Sequence, residues 1–173
     1  NKKGEIVNTS ITNLDLHDIA RAAATYEAAG YFIVQPLAGQ KELIGTLLNH
    51  WARGFGARYN PNRHEALARV RLADSLAAAR QQIKNETGKE PVLIGTSAQA
   101  RANMLGFSKM REIIENKPDD YLLVLGTGWG LTEEVLQACD YMLRPIYGVG
   151  AYNHLSVRSA ASIIMDRLLG EKS

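Results

Sequence analysis

Apolar positions alternate along the chain between helical spacing and short continuous runs, the pattern of a mostly parallel sheet covered by helices. Thr12 to Asp15 fits the Ser/Thr-x-x-acid form of a helix-capping box, and Leu16, Ile19, Ala23 and Tyr26 follow at helical spacing until Gly30. Tyr31 to Val34 reads as a buried strand stopped by Pro36. Leu43, Ile44, Leu47, Leu48 and Trp51 then give a second helix its apolar face. Gly, Asn and Pro between Gly54 and Arg63 predict an exposed loop, followed by a strand over Ala66 to Ala73. Helices are expected over Ser75 to Asn85 and Ser108 to Asn116, with a strand over Pro91 to Ile94 between them. Tyr121 to Leu125 is the clearest strand, and a helix starts near Thr132 with Glu133 and Glu134 in its first turn. Tyr141 to Ile146 leads into a glycine-rich turn, and an amphipathic helix from Ser156 to Leu169 ends at Gly170. The expected fold class is α/β.

Composition narrows this picture. A chain of 173 residues, 46% hydrophobic, is long enough for one proper core and short for two, so a single domain over 1–173 is expected. Its 20 Lys and Arg against 18 Asp and Glu give a net charge of +2, so any basic surface for nucleic acid must be local. Cys139 is the only cysteine, which excludes an intramolecular disulfide and a cysteine-rich zinc site. No metal is expected, and the cysteine usage fits a reducing compartment, so the cytoplasm is the expected location. No apolar run approaches the roughly 20 residues that span a bilayer. Asn1 to Glu5 lacks the apolar stretch of a secretory signal. The chain starts without Met in what reads as a turn between strands, so an earlier strand is expected before residue 1.

The most informative segment is Leu125-Gly126-Thr127-Gly128-Trp129-Gly130-Leu131. Glycines after a buried strand let backbone groups approach a nucleotide-like ligand, although a tight strand-to-helix turn needs them equally. No Gly-Lys-Ser/Thr follows, so it is not a P-loop, and its spacing does not fit the dinucleotide fingerprint. The glycine loop of Rossmann-type methyltransferases follows the first strand of a long sheet, and too little chain follows Gly130 for that. Two further loops leave predicted strand ends: Gly95-Thr96-Ser97-Ala98, and Tyr147 to Arg158, which runs into the last helix. Asn153 and Ser156 either cap that helix or face a ligand.

Leu123 to Asp140 and Asn153 to Arg167 resemble the second and third motifs of the SPOUT (α/β-knot) methyltransferases, and Asn13 to Val34, centred on Arg21, resembles their first. The closest likeness is to a small bacterial SPOUT-like family sometimes found fused to the tRNA guanine-N1 methyltransferase. Asn153-His154-Leu155-Ser156-Val157-Arg158-Ser159-Ala160 carries it most distinctively. The resemblance implies a C-terminal trefoil knot, a homodimer with its sites at the interface, and S-adenosylmethionine as cofactor. The implied cofactor residues are Thr96, Leu125, Gly126, Gly128, Trp129, Gly130, Leu131, Ile146, Tyr147, Gly148, Asn153, His154, Leu155 and Ser156. RNA, either tRNA or rRNA, is the implied substrate. One departure concerns the second motif: many RNA ribose methyltransferases carry a Glu shortly after its first Gly, and this chain has Thr127, Gly128 and Trp129 there.

Arg21 matches the arginine of the first motif and is the candidate to hold a phosphate or ribose oxygen by paired hydrogen bonds. The bland alternative is a surface ion-pair cluster with His17 and Asp18, which stand one turn earlier. Asn13 either caps the helix or orients substrate, and His154 is either a proton acceptor or structural. Arg53, Arg58, Tyr59, Asn60, Arg63 and His64 form either an RNA-contacting loop or a solvated one. Trp51 fits the helix core, whereas Trp129 either packs on the cofactor or plugs the knot. Ala20, Ala23, Ala24 and Ala160 are small enough to permit close packing between subunits. Three functions are open: an RNA methyltransferase, a methyltransferase for a non-RNA substrate, and a cofactor-binding module without catalysis.

Overall fold

The computed structural model describes Glu5, residues 7–53 and residues 60–171, with Ala52 and Arg53 described by their backbone alone. It divides into two compact units, one of Ser10–Gln82 and the other of Asn1–Thr9 with Ile83–Ser173. We term the first the N-terminal unit and the second the C-terminal unit.

The N-terminal unit holds α1 (Asn13–Thr25), β1 (Tyr31–Val34), α2 (Ala38–Arg53), α3 (Pro61–Leu67), β2 (Val70–Ala73) and the start of α4 (Leu76–Thr87). The expected capping box is present. Thr12 Oγ1 accepts a hydrogen bond from Asp15 N at 3.1 Å, and Asp15 Oδ2 accepts one from Thr12 N at 3.3 Å. Such a cap is worth about 1 kcal/mol and sets the rotation that turns Leu16, Ala20 and Ala23 inward. β1 and β2 pair in parallel from Tyr31 with Val70 to Val34 with Ala73. The core gathers Leu16, Ala20, Ile33, Ile44, Ala66, Leu67 and Val70, with Trp51 partly buried against it, as expected for that tryptophan.

Three expectations change here. Pro61 to Arg63 are not loop: Asn60 accepts from Arg63 N at 3.0 Å and Pro61 takes the first helical position, so α3 begins there. The strand expected from Ala66 is shortened to Val70–Ala73, because Ala66 and Leu67 finish that helix. Ala20 and Ala23 are 0% and 2% exposed, so they are core residues of their own unit and cannot pack against a second subunit.

The C-terminal unit holds β3 (Val92–Gly95), α5 (Phe107–Asn116), β4 (Tyr121–Val124), α6 (Glu133–Gln137), β5 (Tyr141–Met142) and α7 (Val157–Leu169). Its strands lie in the order β4-β3-β5 and both pairings are parallel. Parallel pairing brings the C-terminal ends of all three strands to one edge. Ile94, Met110, Leu143, Ile164 and Leu168 form the core, with α5 and α7 packed together. Gly95 has no room for a side chain, since a Cβ there would meet the side chains of Met142 and Cys139. Asp140 Oδ2 accepts from Leu93 N at 2.7 Å and pins β3 beside the start of β5. No helix among the described residues is long and apolar enough to cross a membrane.

Candidate functional site

Three loops leave the shared strand edge of the C-terminal unit. The first follows β3, and Thr96 Oγ1 at its root donates to the Val124 carbonyl at 2.9 Å, locking it to the end of β4. The second is the glycine turn after β4. A Cβ on Gly126 would stand 2.5 Å from the Gly130 carbonyl carbon and 2.6 Å from Leu131 N, so only glycine lets the turn close on itself. Gly130 N donates to the Thr127 carbonyl at 3.1 Å across the turn, with Gly128 at φ +56 and Gly130 at φ +89. The Thr9 and Thr127 hydroxyls are hydrogen-bonded, laying the segment before α1 on this turn.

The third loop runs from Leu143 to α7. Asn153 Nδ2 donates to the Ala98 carbonyl at 2.6 Å, tying this loop to the first. Ser156 caps α7, accepting from Ser159 N at 3.3 Å. The two readings of Asn153 and Ser156 therefore separate: Ser156 is the helix cap, and Asn153 joins two loops. A bidentate pair of Arg101 with Glu133 links the first loop to the start of α6, and this hydrogen bonding holds the Glu133 carboxyl below its ordinary range. Sequence marked Glu133 only as a first-turn acid of its helix and did not single out Arg101, because nothing local marks a charge pair across such a separation.

The open faces of these loops are apolar and aromatic. Trp129, Tyr147, Val149, Tyr152 and Leu155 are exposed, and the Tyr152 and His154 rings meet edge to face at 5.6 Å. A Cβ on Gly130, Gly148 or Gly150 would touch none of the described residues within 4 Å, so the backbone there is unobstructed by them. Aromatic rings suit the adenine of S-adenosylmethionine, and unobstructed backbone beside them leaves room for its ribose and amino-acid portions. Among the described residues, no cluster of three His, Cys, Asp or Glu is placed to hold a metal. A separate groove between α5 and α7 mixes Arg111, Arg144 and Arg167 with Glu112, Glu115 and Asp166, and Tyr147 alone of the candidate cofactor residues lines it.

The substrate-side candidates fall in the N-terminal unit. Asn13 is the first helical residue of α1 and is exposed, the cap being Thr12. Arg21 is exposed on the same helix and forms no ion pair among the described residues, while both it and Asp18 act electrostatically on His17. Arg63 lies with its guanidinium 4.8 Å from the Trp51 ring centre, and the His17 ring meets the same indole edge-on at 5.4 Å. His64 pairs through Nδ1 with the Trp51 carbonyl at 2.9 Å. Burial lowers the His17 pKa, with Arg63 and Arg21 adding to that effect and Asp18 opposing it. Arg58 and Tyr59 lie outside the described residues, as does the Arg53 side chain.

A parallel α/β unit that delivers a glycine turn and two more loops to one strand edge has the arrangement of a nucleotide-cofactor-binding fold. The chain belongs to the SAM-dependent RNA methyltransferase family, whose sequence profile matches residues 1–170. It is 50% identical over 163 residues to a tRNA (guanine-N(1)-)-methyltransferase of Nitratidesulfovibrio vulgaris, covering 94% of this chain and 38% of that protein. It is 44% identical over 167 residues to an uncharacterized protein of Aquifex aeolicus, covering 96% of this chain and 82% of the other. The chain thus spans well under half of the first relative and most of the second. Among solved structures, TrmJ from Z. mobilis superposes with a TM-score of 0.63 at 12% identity, over 91% of this chain and 64% of that one. The fold, parallel strands with flanking helices, is similar to that of the SPOUT methyltransferases.

Proposed function

We propose that this chain transfers a methyl group from S-adenosylmethionine to RNA, either tRNA or rRNA. The observation that carries this reading is the meeting of three loops at one strand edge, around a glycine turn that only glycine can close, in a member of an RNA methyltransferase family. Thr96, Leu125 to Leu131 and Ile146 to Ser156 hold the cofactor, chiefly through backbone. S-adenosylmethionine, when bound, supplies an already activated methyl group. The protein's work is then alignment of an acceptor and disposal of one proton. Arg21, an exposed guanidinium with no ion pair among the described residues, holds the acceptor strand by phosphate or ribose oxygen, and Asn13 orients it. His154, exposed in the third loop, takes the proton.

The same reading makes residues 1–173 one functional domain with a C-terminal trefoil knot, acting in the cytoplasm. Support for one domain is the family profile, which runs through both units. It also makes the protein a homodimer, in which a second copy covers the exposed Tyr147, Val149, Tyr152 and Leu155 of the third loop. The test is calorimetric titration of the chain with S-adenosylhomocysteine. One site per protomer is expected, and the absence of heat and of any thermal shift at millimolar ligand would overturn the reading.

A further inference from the structure

Trp51 gathers charged groups from three helices. Arg63 of α3 lies over its face, His17 of α1 meets it edge-on, and His50 of α2 stands against it at 5.4 Å. Two guanidiniums act on His17, those of Arg63 and of Arg21 one helical turn further along α1. Neither arginine forms an ion pair among the described residues, and the buried Arg63 Nε has no hydrogen-bond partner. His17 Nδ1 is likewise buried without a partner. The one carboxylate acting on the imidazole is Asp18, while His64 of α3 is engaged with the Trp51 carbonyl of α2. Two positive charges against one negative, with donors left unused, describe a place short of an anion.

We infer that His17, Arg21 and Arg63 together form a site for a phosphate group, and that filling it is coupled to uptake of a proton by His17. The inference rests on the RNA reading above for the source of the phosphate, an RNA backbone group. Three electrostatic effects make the coupling follow. The arginines repel a charge on the imidazole, a phosphate between them cancels that repulsion, and a protonated ring gains an acceptor that the protein does not provide. Binding then raises the His17 pKa from its lowered value. By linkage, affinity is flat above the bound-state pKa, rises as pH falls between the two values, and is flat again below the free-state pKa. It gains about tenfold for each unit by which phosphate raises the pKa. Arg63 over the indole is held in place by cation–π attraction, which leaves its terminal nitrogens to the anion.

The experiment follows the histidine imidazole signals of the full chain by NMR against pH, alone, with inorganic phosphate and with bulk tRNA. tRNA affinity is measured in parallel from pH 7.5 to 5.5 for wild type, His17→Gln and Arg63→Gln. Phosphate and tRNA are expected to raise the His17 midpoint, and tRNA binding to tighten severalfold on acidification. His17→Gln should lose that tightening, and Arg63→Gln should weaken binding at every pH, more at low salt. tRNA that binds while the His17 midpoint stays still would overturn the site and leave the RNA reading intact. Phosphate that moves His17 in a protein that binds no RNA would uphold the site for a free phosphate or nucleotide and remove the RNA reading. If His17→Gln fails to fold, the wild-type midpoint and Arg63→Gln decide the matter alone.

Discussion

Asn153 and Ala98, far apart in sequence, are joined by a 2.6 Å hydrogen bond from the Asn153 amide to the Ala98 carbonyl, and this bond fixes the third loop of the strand edge against the first. Removing the donor in Asn153→Ala costs about 1 kcal/mol of stability, since the freed carbonyl is open to water. Cofactor affinity should fall further, by roughly tenfold, because both loops contribute to one ligand. Asn153→Asp sets a carboxylate against the carbonyl and should be worse than Ala in both respects. Thermal melts and calorimetry on the two variants check the order.

The glycine turn gives a sharper contrast. Gly126→Ala forces a methyl into the Gly130 and Leu131 backbone, and overpacking of that kind costs about 1–3 kcal/mol while opening the turn. Gly148→Ala meets no neighbour and should leave stability within about 0.5 kcal/mol. If the cofactor lies against that backbone, Gly148→Ala still weakens its binding. An unchanged affinity would move the cofactor away from the third loop.

What was legible in the sequence was local. Thr12 and Asp15 announce their helix because both halves of a capping box lie within one turn, and Tyr121 to Val124 announces its strand by an uninterrupted apolar run. Asn60 and Pro61 misled because the same residues that punctuate loops also start helices, and α3 is too short to show a period. Ala23 stood in the apolar spacing of its helix, whereas Ala20 was legible as small but not as buried, which depends on the elements packed over it. The grouping of His17 with Arg63 depends on Trp51 standing between α1 and α3, and His17 carried only one local sign, its place one turn before Arg21. The knot and the second subunit rest on family likeness alone.

His17 also makes stability depend on pH. Its pKa is lowered in the folded chain relative to the ordinary value of 6.5, so below that value the unfolded chain binds the proton more readily. Its contribution is fully present above pH 6.5 and is lost as pH falls toward the folded value. Denaturation followed from pH 7.5 to 5 should therefore show a declining midpoint in wild type and a shallower decline in His17→Gln. Equal slopes would mean that His17 titrates normally in the folded protein.

Arg21 separates folding from transfer. With no ion pair to lose among the described residues, Arg21→Ala should leave the melting temperature and cofactor affinity nearly unchanged while methyl transfer drops by a factor of about 100 or more, as for an interaction made in the transition state. Arg21→Lys keeps the charge without the planar pair of donors. Activity retained by Lys would indicate charge attraction, and loss equal to Ala would indicate geometric positioning.

The central claim is tested most directly by incubating the chain with S-adenosylmethionine labelled in its methyl group and with unmodified tRNA and rRNA, then digesting the RNA and identifying the labelled nucleoside. Wild type should place label in one nucleoside, and Gly126→Ala and Arg21→Ala should place little. Label absent from every RNA, in a protein that binds S-adenosylhomocysteine by calorimetry, would contradict RNA methyl transfer and leave a cofactor-binding module.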